Sequence, residues 1–176
     1  MSESVAATAP GNGGQATSEE QEAEAVRRVR VFSFAQVLLL VVQTGLGIWV
    51  NIYCTLPGAD EGKGLLSSFG NSISKGPASV ATHAGFGMLV FINACLLVVF
   101  ALTVRDTSVK LASVIGWLCI VGAAVSGASF VNATQDSNSA NSASLTMGLL
   151  TMVALGCYAW NLYTLKGSES AAPAGS

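Results

Sequence analysis

The chain has 176 residues, 51% hydrophobic and 10% charged, with eight basic and ten acidic residues giving a formal net charge of −2. A soluble domain carries about 25% charged residues, so this composition, with a mean hydropathy of +0.57, excludes a water-facing globule for most of the length. Basic residues this few and dispersed also exclude a surface for nucleic-acid phosphates.

Residues 1–17, "MSESVAATAPGNGGQAT", are small, polar and punctuated by Pro10, Gly11, Gly13 and Gly14. Such a segment buries too little apolar area to offset its ordering entropy, which predicts a disordered tail. Residues 18–30, "SEEQEAEAVRRVR", place Ser18 and Gln21 at capping-box spacing and Glu24 four residues before Arg28, predicting a juxtamembrane helix extension that starts near residue 19. Its acidic face is expected in water, as a solvated extension or a partner-binding segment. The apolar core that follows the basic cluster is of spanning length and predicts an uncleaved anchor.

A membrane-spanning helix needs about 20 mostly apolar residues. Four stretches qualify, at about 31–53, 80–103, 110–131 and 144–165. Continuous runs such as "LLLVV" and "CLLVVFAL" lack the alternation of a transmembrane β-barrel. The predicted fold is therefore all-α, a four-helix transmembrane bundle with tails at 1–17 and 166–176 and a long first extracytoplasmic loop. Both termini are expected to be cytoplasmic: that orientation collects Arg27, Arg28, Arg30, Arg105, Lys110 and Lys166 inside and leaves Lys63 and Lys75 outside.

Within the spans, small and polar residues mark the expected packing faces. In the first, Gln36, Gln43, Gly47 and Asn51 share a sector of about 80°. In the second, His83, Gly87, Val90 and Ala94 form a stripe opposite Met88, Leu89, Leu96 and Val99. The third offers Gly116 and the small-xxx-small pairs Gly122/Ser126 and Ala123/Gly127, and the fourth Thr146, Gly148, Thr151 and Gly156. Close helix approach at small residues is the usual way to associate helices in lipid. A packed bundle is the simpler reading of these stripes and a substrate-lined channel the sharper one. No internal repeat is evident, and two hairpins do not supply the odd number of spans per half that an inverted repeat requires.

Polarity is expected to concentrate near the outer face, in a cluster of Asn51, His83, Ser129, Asn132 and Asp136. The first loop, 54–79, contains Leu65, Leu66, Phe69 and Ile73 at spacings of three and four, predicting a short amphipathic helix on the membrane surface before Pro77 opens the second span. The second loop is short and polar, and its Asn132-Ala133-Thr134 triplet reads as chance.

Candidate chemistry is sparse. His83 is the only histidine, lying roughly 5–8 Å along its helix. As a haem ligand it requires a partner, either the His83 of a second copy or an axial methionine such as Met147. Cys54, Cys95, Cys119 and Cys157 contain no CxxC pair and read as small core residues. No catalytic or metal-binding constellation appears. The favoured expectation is a non-enzymatic structural or accessory subunit, in contact with the bilayer and with another membrane protein or a second copy. Haem-associated redox chemistry at His83 is the alternative, and a small transporter or pH-sensing element the weaker one.

The segments "GLGIWVNIYCTLPG", "KGPASVATHAGFGMLVFINA" and "GASFVN" resemble uncharacterised small four-span membrane proteins of actinobacterial type, over about residues 31–165. The resemblance implies a bacterial plasma membrane, four spans and no assigned activity. The shared positions would be Asn51, Pro57, Gly76, Pro77, His83, Gly87, Gly127, Phe130 and Asn132.

Overall fold

The computed structural model describes residues 13–54, 64–133 and 138–170. Five helices account for nearly all of them: α1 Gly13–Tyr53, α2 Leu65–Ser74, α3 Ala78–Thr103, α4 Thr107–Asn132 and α5 Asn138–Ser170. All but α2 are long and apolar enough to cross a bilayer. Their outward sides carry side chains such as Leu38, Val41, Leu96, Leu118, Leu149 and Met152, each about half exposed. A water-soluble surface does not present apolar area of that extent, so the chain is a multi-pass integral membrane protein in a lipid environment.

The four spans form a ring. Helix α1 packs on α3 and α5, and α4 packs on the same two, so the diagonal pairs hardly touch. Four antiparallel passes bring the start of α1 and the end of α5 to one end, called here the tail end. Helix α2 lies at the other end against α3 and α4. Aromatic pairs mark both ends: Trp49 and Tyr53 with ring centroids 4.8 Å apart at the α2 end, and Trp160 and Tyr163 at 5.8 Å at the tail end. All four are more than half exposed, as suits rings at a membrane–water boundary.

The helix limits depart from expectation at both tails. Helix α1 begins at Gly13, so Ser18 lies within it and is not its cap, and α5 continues past residue 166 to Ser170. Extending a helix that a span has already nucleated costs little per residue. Residues 1–12 and 171–176, expected to be disordered, lie outside the described residues. The extension of α1 is mostly exposed, as its charge suggests, but it is also anchored. Glu24 pairs with Arg28, while Glu22 accepts the Arg105 backbone N–H at 2.9 Å and lies 3.7 Å from its guanidinium. This fastens α1 to the α3–α4 turn. That turn ends in an N-cap: the Asp106 carboxylate accepts the N–H groups of Ser108 and Val109 at the start of α4.

Helix α2 forms in the first loop, with a different facing from that expected. Ser68 and Ser72 are buried against the bundle, whereas Ile73 is exposed and Leu66 remains 87% exposed. Two small residues four apart let α2 approach α3 and α4 closely, so it rests on the bundle. Gly64 precedes it at φ 90°, a conformation natural to glycine. Gly76 follows it where an added Cβ would lie 2.5 Å from the Ser72 carbonyl oxygen. Pro77 occupies the N-cap of α3, one position before its first turn. Its carbonyl accepts the Ala81 N–H at 2.9 Å.

The core is unevenly distributed along the bundle. A continuous cluster fills the tail half, from Val29 and Val104 to Leu40, Val90, Ile120, Ala154 and Tyr158. A small one, Val50 and Val80 with Phe130 and Val131 against them, closes the α2 end. Between the two lies a cavity.

Candidate functional site

The cavity has a volume of about 610 Å³ and is framed by all four spans, with Leu66, Phe69 and Ser72 of α2 at its roof. Its walls are mainly apolar. The polar exception is a pair formed across α1 and α3, where the Gln43 Nε2 donates to the His83 carbonyl oxygen at 3.2 Å and approaches the His83 Nε2 at 3.4 Å. Each helix supplies a glycine opposite the other's polar side chain. A Cβ on Gly47 would lie 3.1 Å from the His83 ring, and one on Gly87 would lie 3.2 Å from the Gln43 amide. The stripes Gln36/Gln43/Gly47 and His83/Gly87/Val90/Ala94 thus meet in register, and the glycines at 47 and 87 make room for the pair.

The pair is incompletely satisfied. Gln43 Oε1 and His83 Nδ1 are both buried without a hydrogen-bond partner among the described residues. If Nε2 accepts from the glutamine amide, Nδ1 carries the ring proton, which leaves one donor and one acceptor unused beside an apolar cavity. An unmet buried polar group costs about 1–3 kcal/mol. This arrangement suits a molecule with an apolar body and a small hydrogen-bonding head.

The remaining members of the expected outer cluster are dispersed. Asn51 is exposed at the cavity rim. Ser129 donates to the Val125 carbonyl of its own helix. Asn132 serves α2, its Oδ1 accepting the Gly64 N–H at 2.9 Å and the Ser68 hydroxyl at 3.4 Å. Asp136 and Pro57 lie outside the described residues. The Cys54 thiol sits 2.8 Å from the Ser79 hydroxyl, joining the end of α1 to the start of α3, and all four cysteines are free.

The expected packing residues also occupy defined places. A Cβ on Gly122 would lie 2.9 Å from Leu150, and one on Gly127 would lie 3.3 Å from the Met147 sulfur. Ala123 and Gly127 line the cavity, and Ser126 is half-buried beside them. On α5, Thr146 and Gly156 are exposed, Gly148 and Thr151 line the cavity, and the buried stripe is Ala154, Tyr158, Asn161 and Leu165.

Polarity is not confined to the α2 end. In the tail half, the Gln36 Nε2 donates to the Val90 carbonyl at 3.2 Å, and the Asn93 amide donates to Gln36 Oε1 and to the Phe32 carbonyl. Between α4 and α5, Asn161 donates to the Ser113 hydroxyl at 2.9 Å. These groups hydrogen-bond across helices within the continuous core, where lipid offers no substitute for a missing partner. They fix which helix faces pair. The Gln43–His83 pair differs in lying beside open volume.

Among the described residues no three His, Cys, Asp or Glu side chains converge as a metal site would require. His83, Met88 and Met147 all line the cavity and carry a haem-ligating atom, and Met147 is the methionine that the sequence pairs with His83. Comparisons with protein-family models, with curated proteins and with solved structures return no match.

Proposed function

We propose that the chain is a non-enzymatic accessory protein of a bacterial plasma membrane that holds one lipophilic molecule between its spans, at the end expected to face outward. The observation that carries this reading is the cavity of about 610 Å³ with the unmet Gln43 and His83 atoms on its wall. Its volume falls within the range typical of small-molecule sites. A carbonyl or hydroxyl head would meet Nδ1 or Oε1, and the chain would lie along the apolar faces of α3 and α4.

Extraction of the intact protein in mild detergent, followed by native mass spectrometry, tests the proposal. A bound apolar small molecule is expected on the wild type and is lost in Ala123→Phe, which fills the cavity wall. Wild type emerging empty from native membranes, or Ala123→Phe carrying the same load, would refute it. A second reading draws on the place of His83 and Met147 in the same cavity wall: these two side chains would hold a haem, which would supply redox chemistry. A Soret band in protein from haem-replete cells, abolished in both His83→Ala and Met147→Leu, is its signature. A colourless preparation excludes it.

A further inference from the structure

A second pocket, of about 640 Å³, opens at the tail end between α1 and α5. Three cations, Arg27, Arg30 and Lys166, surround it, and its apolar lining is Val31, Phe34 and Leu162. Arg30 also interacts within the chain, whereas Arg27 and Lys166 form no ion pair among the described residues. The pocket lies at the height where the charged extension of α1 gives way to its apolar span, and Lys166 follows the exposed Trp160 and Tyr163 on α5. It is thus cationic on its water side and apolar on its membrane side.

We propose that this pocket is a specific site for one anionic phospholipid of the surrounding bilayer, its phosphate between Arg27, Arg30 and Lys166 and an acyl chain against Val31, Phe34 and Leu162. The charges select the head group, because a zwitterionic lipid brings its own cation to the same place. The apolar lining selects a lipid over a soluble anion, because Val31 and Phe34 are each more than half exposed toward the bilayer. The arginines provide planar forked donors and the lysine a mobile point charge, a combination that suits a phosphodiester. The site belongs to the opposite end of the bundle from the cavity and does not depend on what the cavity holds.

Native mass spectrometry of the full-length protein, titrated in non-ionic detergent with dioleoyl phosphatidylglycerol or dioleoyl phosphatidylcholine, tests the site. Wild type is expected to retain phosphatidylglycerol at least tenfold more tightly. Arg27→Gln/Lys166→Gln should weaken it by roughly thirty-fold, from the usual contribution of two membrane-surface cations. Arg105→Gln/Lys110→Gln, which removes the same charge outside the pocket, should leave the preference intact, as should the charge-conserving Arg27→Lys/Lys166→Arg. Far-UV circular dichroism identifies any variant that fails to fold. Equal retention of the two lipids by wild type overturns the proposal, as does an equal loss in both glutamine pairs or displacement of the lipid by millimolar inorganic phosphate.

Discussion

Gly116 and Gly156 lie on the two helices of the α4–α5 hairpin, and their replacement by alanine should shift stability in opposite directions. A Cβ on Gly116 would lie 2.7 Å from Cζ of Tyr158 and 3.0 Å from its hydroxyl oxygen, and Tyr158 is fully buried. Ordinary contact begins near 3.4 Å, so the interface must open by roughly 0.7 Å, and overpacking of a close-fitting core costs about 1–3 kcal/mol. Gly156 has nothing within 4 Å of its added Cβ, and alanine there gains about 0.5–1 kcal/mol of helix propensity. Reversible unfolding in mixed micelles, followed by far-UV circular dichroism as denaturing detergent is titrated, should place the two variants on opposite sides of wild type. Their separation should be about 2 kcal/mol or more. Tyr158→Ala removes the clash as well as the ring, so Gly116→Ala/Tyr158→Ala should lose less than the sum of the single losses. A neutral Gly116→Ala, or strict additivity in the cycle, would refute the argument that α4 and α5 meet through this glycine.

Three further outcomes follow from the contacts described. His83→Leu keeps the Gln43 bond to the carbonyl of residue 83 and should cost only about 0.6 kcal/mol, the average for interhelical hydrogen bonds in membranes. Gln43→Leu removes both contacts and should cost more in the same titration; the reverse order would count against the pair. Asn132→Leu should raise hydrogen exchange across 64–74 while leaving the four spans protected, since its Oδ1 ties Gly64 and Ser68 to α4, and unchanged exchange would show that α2 is held by other contacts. At Asp106, hydrogen bonds from the Ser108 hydroxyl and from the backbone N–H groups of Ser108 and Val109 hold the carboxyl below its ordinary range. A depressed folded value makes the cap's contribution full above the unfolded value, near pH 3.9, and lost as pH falls through the folded one. Asp106→Ala should therefore cost about 1 kcal/mol at neutral pH, with the gap to wild type closing only below pH 4. A gap constant down to pH 2 would contradict this.

The four passes were legible because each is an unbroken apolar run. The faces were only partly so. For α1 and α3, Gln36, Gln43, Gly47, His83 and Gly87 break the run at helical spacing, and the structure brings those positions together. On α5 the small and polar Thr146, Gly148, Thr151 and Gly156 pointed to a packing face, of which Gly148 and Thr151 reach the cavity, whereas Ala154, Tyr158, Asn161 and Leu165 form the buried face. In lipid the outward side is as apolar as the core, so hydrophobic periodicity loses its contrast, and a bulky Tyr158 inside leaves no mark in the pattern. The tail-half contacts Gln36–Asn93 and Ser113–Asn161 were missed for a related reason: Gln36 belongs to a stripe, but Asn93, Ser113 and Asn161 are isolated in their spans, and only the pairing of helices reveals these partners. The cavity also depends on pairing, since it arises where four inward faces fail to fill the centre of a ring.

The aromatic pairs at the two ends of the bundle give it a built-in ruler. From Arg30 to Trp49, α1 rises about 28 Å at 1.5 Å per residue, close to the thickness of a bilayer's hydrocarbon slab, roughly 30 Å. Neither end can slide inward without drawing rings or guanidinium groups into oil, so a thinner membrane is met by tilting rather than by sinking. The vertical position of everything the protein carries is thereby keyed to the bilayer in which it sits.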